Sequence, residues 1–267
     1  MNQTKEVLAY LTKISETHNV KILYAAESGS RAWGFASQDS DYDVRFIYAR
    51  PVEHYLSFNV ELKRDVLELK TDNPLWDISG WDIRKALGLF TRSNGALLEW
   101  LRSPICYQET NPAIATLRTL ARNHFNPTSL CYHYYRLGRN NAREFLKGDT
   151  LSLKKYLYVI RAFIAVDFIR ERRELPYVDF PMLLMHTSTF NAEVAHIQSE
   201  VEEIVNSKRQ TGELGTGTRI PVLDTYIERA LDISENAFVN FKRDDLRKRE
   251  WDDKLNAIFR EAISNEV

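Results

Sequence analysis

The sequence is poor in cysteine, glycine and long apolar runs. Two cysteines and ten glycines in 267 residues exclude a disulfide-stapled scaffold and a glycine-rich fibrous protein. Cys106 and Cys131 lie too far apart for a local metal motif, and we expect both to be buried, reduced thiols. No stretch reaches the roughly 18 to 20 uncharged apolar residues of a membrane span, and the polar, amphipathic start at 1–19 is unlike a signal peptide. These absences predict a cytoplasmic globular protein that does not contact a membrane.

Net charge is also nearly absent, at -1 from 36 basic and 37 acidic residues. By itself this total attracts no charged partner, but it conceals a basic segment. Between Arg118 and Arg173 the chain has twelve Lys or Arg against four Asp or Glu, an excess of eight positive charges. An excess of this size could face a polyanion such as RNA.

The hydrophobic pattern changes along the chain and predicts an α+β fold. Helical and strand patterns alternate at first, with a helix at 4–18 and strands at 20–26, 41–49, 65–69 and 76–79. After the helix predicted at 81–92 the patterns are helical almost throughout, over 96–102, 112–123, 127–147, 152–173, 179–186, 190–209, 221–241 and 244–263. We therefore expect a small α/β domain at 1–110 and a helical domain at 111–267.

One later segment lacks a helical pattern. Residues 211–218 are rich in glycine and have Leu214 as their only apolar anchor. Such a composition is typical of a flexible connection, so we expect a mobile loop here.

Residue types that bind phosphate and metal follow the first predicted strand. Gly29 and Ser30 lie where that strand turns into a short helix predicted to continue through Phe35, so backbone N–H groups there would face a phosphate. Glycine permits close approach of a ligand, and the serine hydroxyl can donate a further hydrogen bond. Asp41 and Asp43 then share one side of a strand, because strand side chains alternate. Two such carboxylates suit Mg²⁺, whose coordination water and substrate phosphates would complete.

Further side chains could complete this site. Arg45 continues the alternation, so it could hold a phosphate or brace a carboxylate. A third carboxylate would create a two-metal site, and Asp77 is the preferred candidate because its predicted strand, 76–79, could pair beside the strand of Asp41. Asp82 is a weaker candidate because an acid in a first helical turn is favourable for the helix dipole alone. Glu68 is weaker still.

Longer stretches of the sequence carry a resemblance to a known family. ESGSRAWGFASQDSDYDVRFIY at 27–48, DISGWDIRKAL at 77–87 and SNGALLEWLRSP at 93–104 resemble the nucleotidyltransferase superfamily of DNA polymerase β. They are most similar to its predicted nucleotidyltransferases of the RlaP/YcgL type. The superfamily pattern is a hydrophobic residue, Gly, Gly or Ser, about ten residues, Asp-hydrophobic-Asp and a later third acid. Residues 154–180 resemble the family's helical region, while Ser28 departs from the pattern, which usually has an aliphatic residue there.

The resemblance implies a polymerase β-like catalytic domain, with a small mixed sheet and flanking helices, followed by a helical domain that helps to bind nucleotide or acceptor. The positions that match the motif are Gly29, Ser30, Asp41, Asp43 and Asp77. It also implies that Lys155 contacts the triphosphate, with a solvated surface lysine as the alternative. The expected cofactor is Mg²⁺, with Mn²⁺ as its substitute.

The implied activity is transfer of a nucleoside monophosphate from ATP or another NTP to a hydroxyl group, with release of pyrophosphate. RNA ends are the favoured acceptor, because of the basic segment and because some members of this group are associated with RNA ligases. A protein hydroxyl or a small molecule remains an alternative acceptor. A non-catalytic nucleotide or RNA sensor is the contrasting class, and the set of three acids argues against it.

Overall fold

The computed structural model describes residues 3–60, 64–69, 71–147, 150–211, 216–233, 238 and 249–264. The chain divides into two compact units. The first unit comprises residues 1–29, 41–124 and 245–267, and the second comprises 30–40 and 125–244. Residues on both sides of position 110 thus belong to the first unit, and the domain boundary expected there stays a proposal.

A mixed sheet forms the centre of the first unit. Its strands are β1 (Lys21–Glu27), β2 (Tyr42–Ala49), β3 (Val66–Leu69), β4 (Trp76–Asp82) and β5 (Cys106–Glu109). They lie in the order β3-β4-β2-β1-β5. The β2–β4 pair is parallel, whereas β1–β2, β1–β5 and β3–β4 are antiparallel. The mixed sheet confirms the predicted α+β class.

Helices account for most of the remaining described chain. They are α1 (Gln3–His18), α2 (Gly29–Ala32), α3 (Val52–Tyr55), α4 (Ile83–Phe90), α5 (Gly95–Leu101), α6 (Pro112–Asn123), α7 (Pro127–Phe145), α8 (Leu153–Arg172), α9 (Phe180–Ser188), α10 (Ala192–Thr211), α11 (Pro221–Leu231) and α12 (Arg249–Ile263). Helices α7 to α11 belong to the second unit, as expected for a helical C-terminal part. No helix among the residues described is long and apolar enough to cross a membrane.

Side-chain alternation in β2 separates a core face from the candidate site. Tyr42, Val44 and Phe46 are buried in a cluster that includes Val7 and Leu11 of α1. Burial of this apolar surface anchors the strand, at roughly 1.5–3 kcal/mol for each fully buried large side chain. The intervening positions 43 and 45 are only half-buried. They therefore face the opposite side of the sheet, where polar chemistry is possible.

The second unit is built around α8. From Tyr156 to Ile169 all but one of its residues are buried, which is the pattern of a helix surrounded by other helices. Helices α7, α9, α10 and α11 each pack against it. A separate two-stranded sheet joins β6 (Thr150–Ser152) to β7 (Thr216–Thr218).

Some expectations from the sequence are corrected by this fold. The mobile loop expected at 211–218 is wrong for 211 and 216–218, because α10 extends to Thr211 and Thr216–Thr218 pairs with β6. Residues 212–215 lie outside the described residues. The helix expected through Phe35 ends at Ala32, and the one expected at 221–241 ends at Leu231. Within the helix expected at 221–241, residues 234–237 and 239–241 lie outside the described residues. Within the one expected at 244–263, residues 244–248 do.

Two further differences concern β5. This strand was not predicted, because its four residues, CYQE, lie at the sheet edge with exposed ends and show no apolar alternation. Its first residue, Cys106, is exposed rather than buried as expected, whereas Cys131 is buried; both are free thiols. Partial burial still raises the pKa of Cys106, and deeper burial raises that of Cys131 to about 12. Neither thiol is therefore activated as a nucleophile.

Candidate active site

The parallel pairing of β2 with β4 brings two of the predicted acids side by side. In the register of this pair Asp43 is the partner of Asp77. Neighbouring strands lie about 4.8 Å apart, so paired side chains on one face are direct neighbours. The Asp77 side chain is 64% exposed and that of Asp43 is 26% exposed, so both acids can be reached from solvent.

Arg45 bridges these two carboxylates. Its Nη2 lies 3.0 Å from Oδ1 of Asp43 and 2.7 Å from Oδ2 of Asp77, and its Nη1 donates to the Asp77 carbonyl oxygen at 2.8 Å. The arginine side chain is only 15% exposed. Of the two roles considered from the sequence, Arg45 here takes the second and braces carboxylates. One positive charge thus contacts both acids at once.

The turn after β1 packs directly against Asp43. The backbone N–H of Ser28 donates to the Asp43 carbonyl oxygen at 2.8 Å. Gly29 has a φ of +58°, and a Cβ built on it would collide with the Asp43 carboxylate. Glycine is needed here both for the left-handed backbone and for the absence of a side chain. The predicted phosphate turn and the predicted metal acid are therefore in contact.

The other predicted site residues have different settings. Asp41 is exposed and lies one residue before β2 begins, two positions before Asp43. Ser30 is 5% exposed and belongs to the second unit, where its carbonyl oxygen accepts the N–H of Phe35 at 3.1 Å. Lys155 is half-buried in the first turn of α8, also in the second unit. The structure thus brings together Gly29, Asp43, Arg45 and Asp77. The functional roles of all seven predicted residues stay proposals.

The two alternative candidates for the third acid, Asp82 and Glu68, have structural environments that do not require a catalytic role. Asp82 is buried and caps α4, accepting the N–H of Arg84 at 2.8 Å and the hydroxyl of Tyr55 at 2.9 Å. Burial raises the pKa of this carboxyl group. Glu68 is exposed on β3 opposite Ser79, two register positions beyond Asp77 on β4. Neither carboxylate contacts the Asp43–Arg45–Asp77 bridge in any bond found among the described residues.

One participant was not predicted from the sequence. Glu27 is fully buried at the end of β1, and its Oε1 accepts the backbone N–H of Asp43 at 2.7 Å. Its Oε2 accepts the hydroxyl of Tyr107, on β5. The signal that could have revealed it is an acid directly after the mostly apolar segment VKILYAA and two residues before Gly29.

The donor chemistry of the site fits a hard divalent cation in one respect. The carboxylates of Asp43 and Asp77 are oxygen ligands of the kind that Mg²⁺ prefers. The Arg45 guanidinium shows that a single positive group can contact both of them. Within the described residues no three Asp, Glu, His or Cys side chains are grouped closely enough to hold a metal ion. The arrangement therefore fits a cation held by two protein carboxylates and leaves a three-acid site as a proposal.

The mixed sheet with flanking helices, followed by a helical part, is the architecture expected of a polymerase β-like nucleotidyltransferase. The sequence from residue 4 to residue 261 matches the model of a family described as "RlaP: RNA repair pathway DNA polymerase beta family". Because this match covers nearly the whole chain, the protein belongs to that family. The resemblance inferred from the Gly-Ser and Asp-Tyr-Asp motifs is thereby confirmed.

Individual proteins also resemble the chain. It is 39% identical over 261 residues to the protein YcgL of Bacillus subtilis (strain 168), described as uncharacterized, and the match covers 97% of this chain and 96% of YcgL. A solved nucleotidyltransferase-like protein from Exiguobacterium sibiricum 255-15 is 11% identical, with a TM-score of 0.36. That match covers 96% of this chain and 88% of the solved one.

Proposed function

We propose that the protein is a metal-dependent nucleotidyltransferase that transfers a nucleoside monophosphate from an NTP to a hydroxyl group at an RNA end. The observation that carries the proposal is the pair of carboxylates, Asp43 and Asp77, which the Arg45 guanidinium bridges beside the Gly29 turn. Membership of a polymerase β family supports the general reaction, and the family description names RNA repair.

The cofactor in this proposal is Mg²⁺, with Mn²⁺ as its substitute. Asp43 and Asp77 would hold it, and Asp41 would join them from the exposed chain just before β2. When bound, it would neutralise triphosphate charge and lower the pKa of the acceptor hydroxyl. For this, Arg45 has to release at least one of the two carboxylates that its Nη2 now contacts. The released guanidinium can then serve a phosphate, which is the first of its two predicted roles.

The remaining residues would orient the substrates. Backbone N–H groups at Gly29 and Ser30 would bind phosphate oxygens, and Lys155 would contact the triphosphate. The acceptor oxygen forms a bond to the α-phosphorus as the hydroxyl proton passes to solvent. The bond from that phosphorus to the oxygen that bridges the α- and β-phosphates breaks, and pyrophosphate leaves. Positioning and charge neutralisation would supply most of the rate.

RNA is the preferred acceptor because of charge. The excess of eight positive charges between Arg118 and Arg173 lies in a chain whose net charge is only -1. A polyanion binds such a segment through its phosphates, independently of base sequence. Phosphate contacts do not select the base of the NTP, so the experiment varies it.

The test is label transfer by the full-length protein. Each of the four NTPs, labelled at the α-phosphate, is incubated with Mg²⁺ and total RNA or total protein, and label in each pool is measured. We expect label in RNA, and a loss of at least about a hundredfold on Asp43→Asn or Asp77→Asn, because each removes a charge that the transition state needs. Glu68→Gln is the matched control, since it neutralises an exposed acid on the same sheet.

Each result of this test has a distinct meaning. Transfer that survives Asp43→Asn refutes the assigned site. Label in the protein pool, or in a small molecule, keeps the reaction and replaces the acceptor. NTP or RNA binding without transfer of any label supports the sensor and refutes the enzyme.

A further inference from the structure

The carboxylate of Glu27 is enclosed in the interior of the first unit. The residue is 0% exposed, although it directly precedes the half-buried Ser28 and Gly29. Both of its carboxylate oxygens accept hydrogen bonds, Oε1 from the Asp43 N–H at 2.7 Å and Oε2 from the Tyr107 hydroxyl. A fully buried carboxylate is costly unless such donors satisfy it. Through these two hydrogen bonds the Glu27 side chain links Tyr107 on β5 to Asp43 on β2.

The backbone around Glu27 is fixed as firmly as its side chain. The Glu27 N–H donates to the carbonyl oxygen of Ile105 at 2.9 Å, and its carbonyl oxygen accepts the hydroxyl of Ser103 at 2.6 Å. These bonds come from the segment that leads into β5, so they hold the end of β1 from one side. The residue is therefore a rigid support rather than a flexible surface acid.

The peptide groups of Asp43 are bound on both sides by this support. The Asp43 N–H donates to the Glu27 carboxylate, and the Asp43 carbonyl oxygen accepts the N–H of Ser28 at 2.8 Å. The antiparallel register pairs Glu27 with Val44, the residue after Asp43. Because both peptide groups of Asp43 are hydrogen-bonded, its backbone is fixed. This keeps its side chain opposite Asp77, its partner in the β2–β4 register.

We infer that Glu27 is a positioning residue for Asp43 and, through it, sets the cation affinity of the Asp43–Asp77 pair. The inference rests on the proposed function and names a residue that acts on the metal ligands without being one. A hydrogen bond to a carboxylate is roughly twice as strong as one between neutral groups, so neutralising Glu27 loosens the Asp43 peptide. Removing the buried negative charge also weakens the field that attracts a cation to the neighbouring acids.

The direct test is Mn²⁺ binding by the full-length protein, measured by the electron paramagnetic resonance signal of free Mn²⁺. Glu27→Gln keeps the size of the side chain and an acceptor oxygen, so circular dichroism should remain that of the folded wild type. We expect its dissociation constant for Mn²⁺ to rise roughly tenfold, from the combined loss of charge and of the stronger hydrogen bond. In the transfer reaction the Mg²⁺ concentration for half-maximal rate should rise similarly, and saturating Mg²⁺ should restore most of the rate.

Tyr107→Phe is the second variant, because it removes only the hydroxyl that holds the other carboxylate oxygen. It should weaken Mn²⁺ binding in the same direction but by less, and it decides the question if the Glu27 variant does not fold. Asp43→Asn is the positive control and Glu68→Gln the negative one. A purely structural Glu27 would lower the unfolding temperature without changing the Mn²⁺ dissociation constant.

The outcomes separate this inference from the proposed function. If Asp43→Asn abolishes Mn²⁺ binding while Glu27→Gln and Tyr107→Phe bind as tightly as the wild type, Glu27 does not position the site. If the wild-type protein binds no Mn²⁺, or binds it equally well after Asp43→Asn, the proposed metal site fails and this inference fails with it.

Discussion

Arg45 lies between the two carboxylates that the proposed reaction needs, so it competes with any cation that binds there. Arg45→Met removes this competitor and keeps an apolar stem of similar length. We expect Mn²⁺ to bind about fivefold more tightly, and the unfolding free energy without metal to fall by about 1 kcal/mol, because the two acids lose their counter-charge. Titration with Mn²⁺ and thermal unfolding measure the two effects. Weaker Mn²⁺ binding in this variant would show that Arg45 supports the site rather than competes for it.

Gly29 is the other single residue on which the site depends. Gly29→Ala places a methyl group against the Asp43 carboxylate in a left-handed backbone conformation, which alone costs roughly 1–2 kcal/mol. We expect a lower unfolding temperature and loss of transfer activity. Gly88→Ala in α4 is the control, because a Cβ there meets nothing within 4 Å. Alanine should stabilise that helix by about 0.5–1 kcal/mol, so equal behaviour of the two variants would contradict the close packing at Gly29.

At the scale of elements, the sequence predicted the strand with Asp43 and the strand with Asp77 and indicated that the two could pair, but it did not predict their parallel register. Alternation within β2 is a local property, and Tyr42, Val44 and Phe46 display it clearly. The parallel β2–β4 pairing depends instead on a crossover through β3, which no local pattern records. Arg45 could therefore be placed on the side of the acids, while its bridge to Asp77 could be found only from coordinates.

The contact between α8 and α11 should make stability depend on pH. Asp167 on α8 accepts the hydroxyl of Tyr226 on α11 at 2.8 Å, and burial raises the pKa of its carboxyl group to about 6. The ordinary value in an unfolded chain is about 3.9, so between these values the folded state holds a proton that the unfolded state has lost. Stability should therefore fall by about 2 kcal/mol as pH rises from 4 to 6, and the loss should level off near 3 kcal/mol once the folded carboxyl group has also ionised, at about pH 7.

Asp167→Asn tests this dependence, since an amide oxygen can still accept the Tyr226 hydroxyl but cannot ionise. The unfolding free energy is measured with urea at pH values from 4 to 8. In the wild type it should fall as pH rises from 4 towards 7, and in the variant this fall should be absent. The variant should also be the more stable of the two at pH 7. An unchanged pH profile would mean that Asp167 does not carry the proton. Glu68→Gln, at an exposed acid of the first unit, is a suitable control.

At the scale of the whole molecule, the sequence predicted the two kinds of structure but not how the chain is shared between the units. The segment 30–40 joins the second unit, and α12 at the other end of the chain returns to the first. Within that first unit His124 packs against Trp251 with ring centroids 4.3 Å apart. Composition and periodicity are read over short windows, so contacts between residues this far apart leave no trace in them.

The uneven charge distribution gives the last prediction. If the basic segment binds single-stranded RNA, affinity should fall steeply as salt rises, with each phosphate contact adding about 0.7 to the slope of log affinity against log salt. Lys154→Gln with Lys155→Gln should then reduce this slope by about 1.4 and weaken binding equally for RNAs of different sequence. Fluorescence anisotropy of labelled RNA at several salt concentrations measures both effects. Lys5→Gln with Lys13→Gln, at two exposed lysines of α1, should leave the slope unchanged. RNA binding that is indifferent to salt, or equally sensitive in both double variants, would remove the electrostatic reason for choosing RNA as the acceptor.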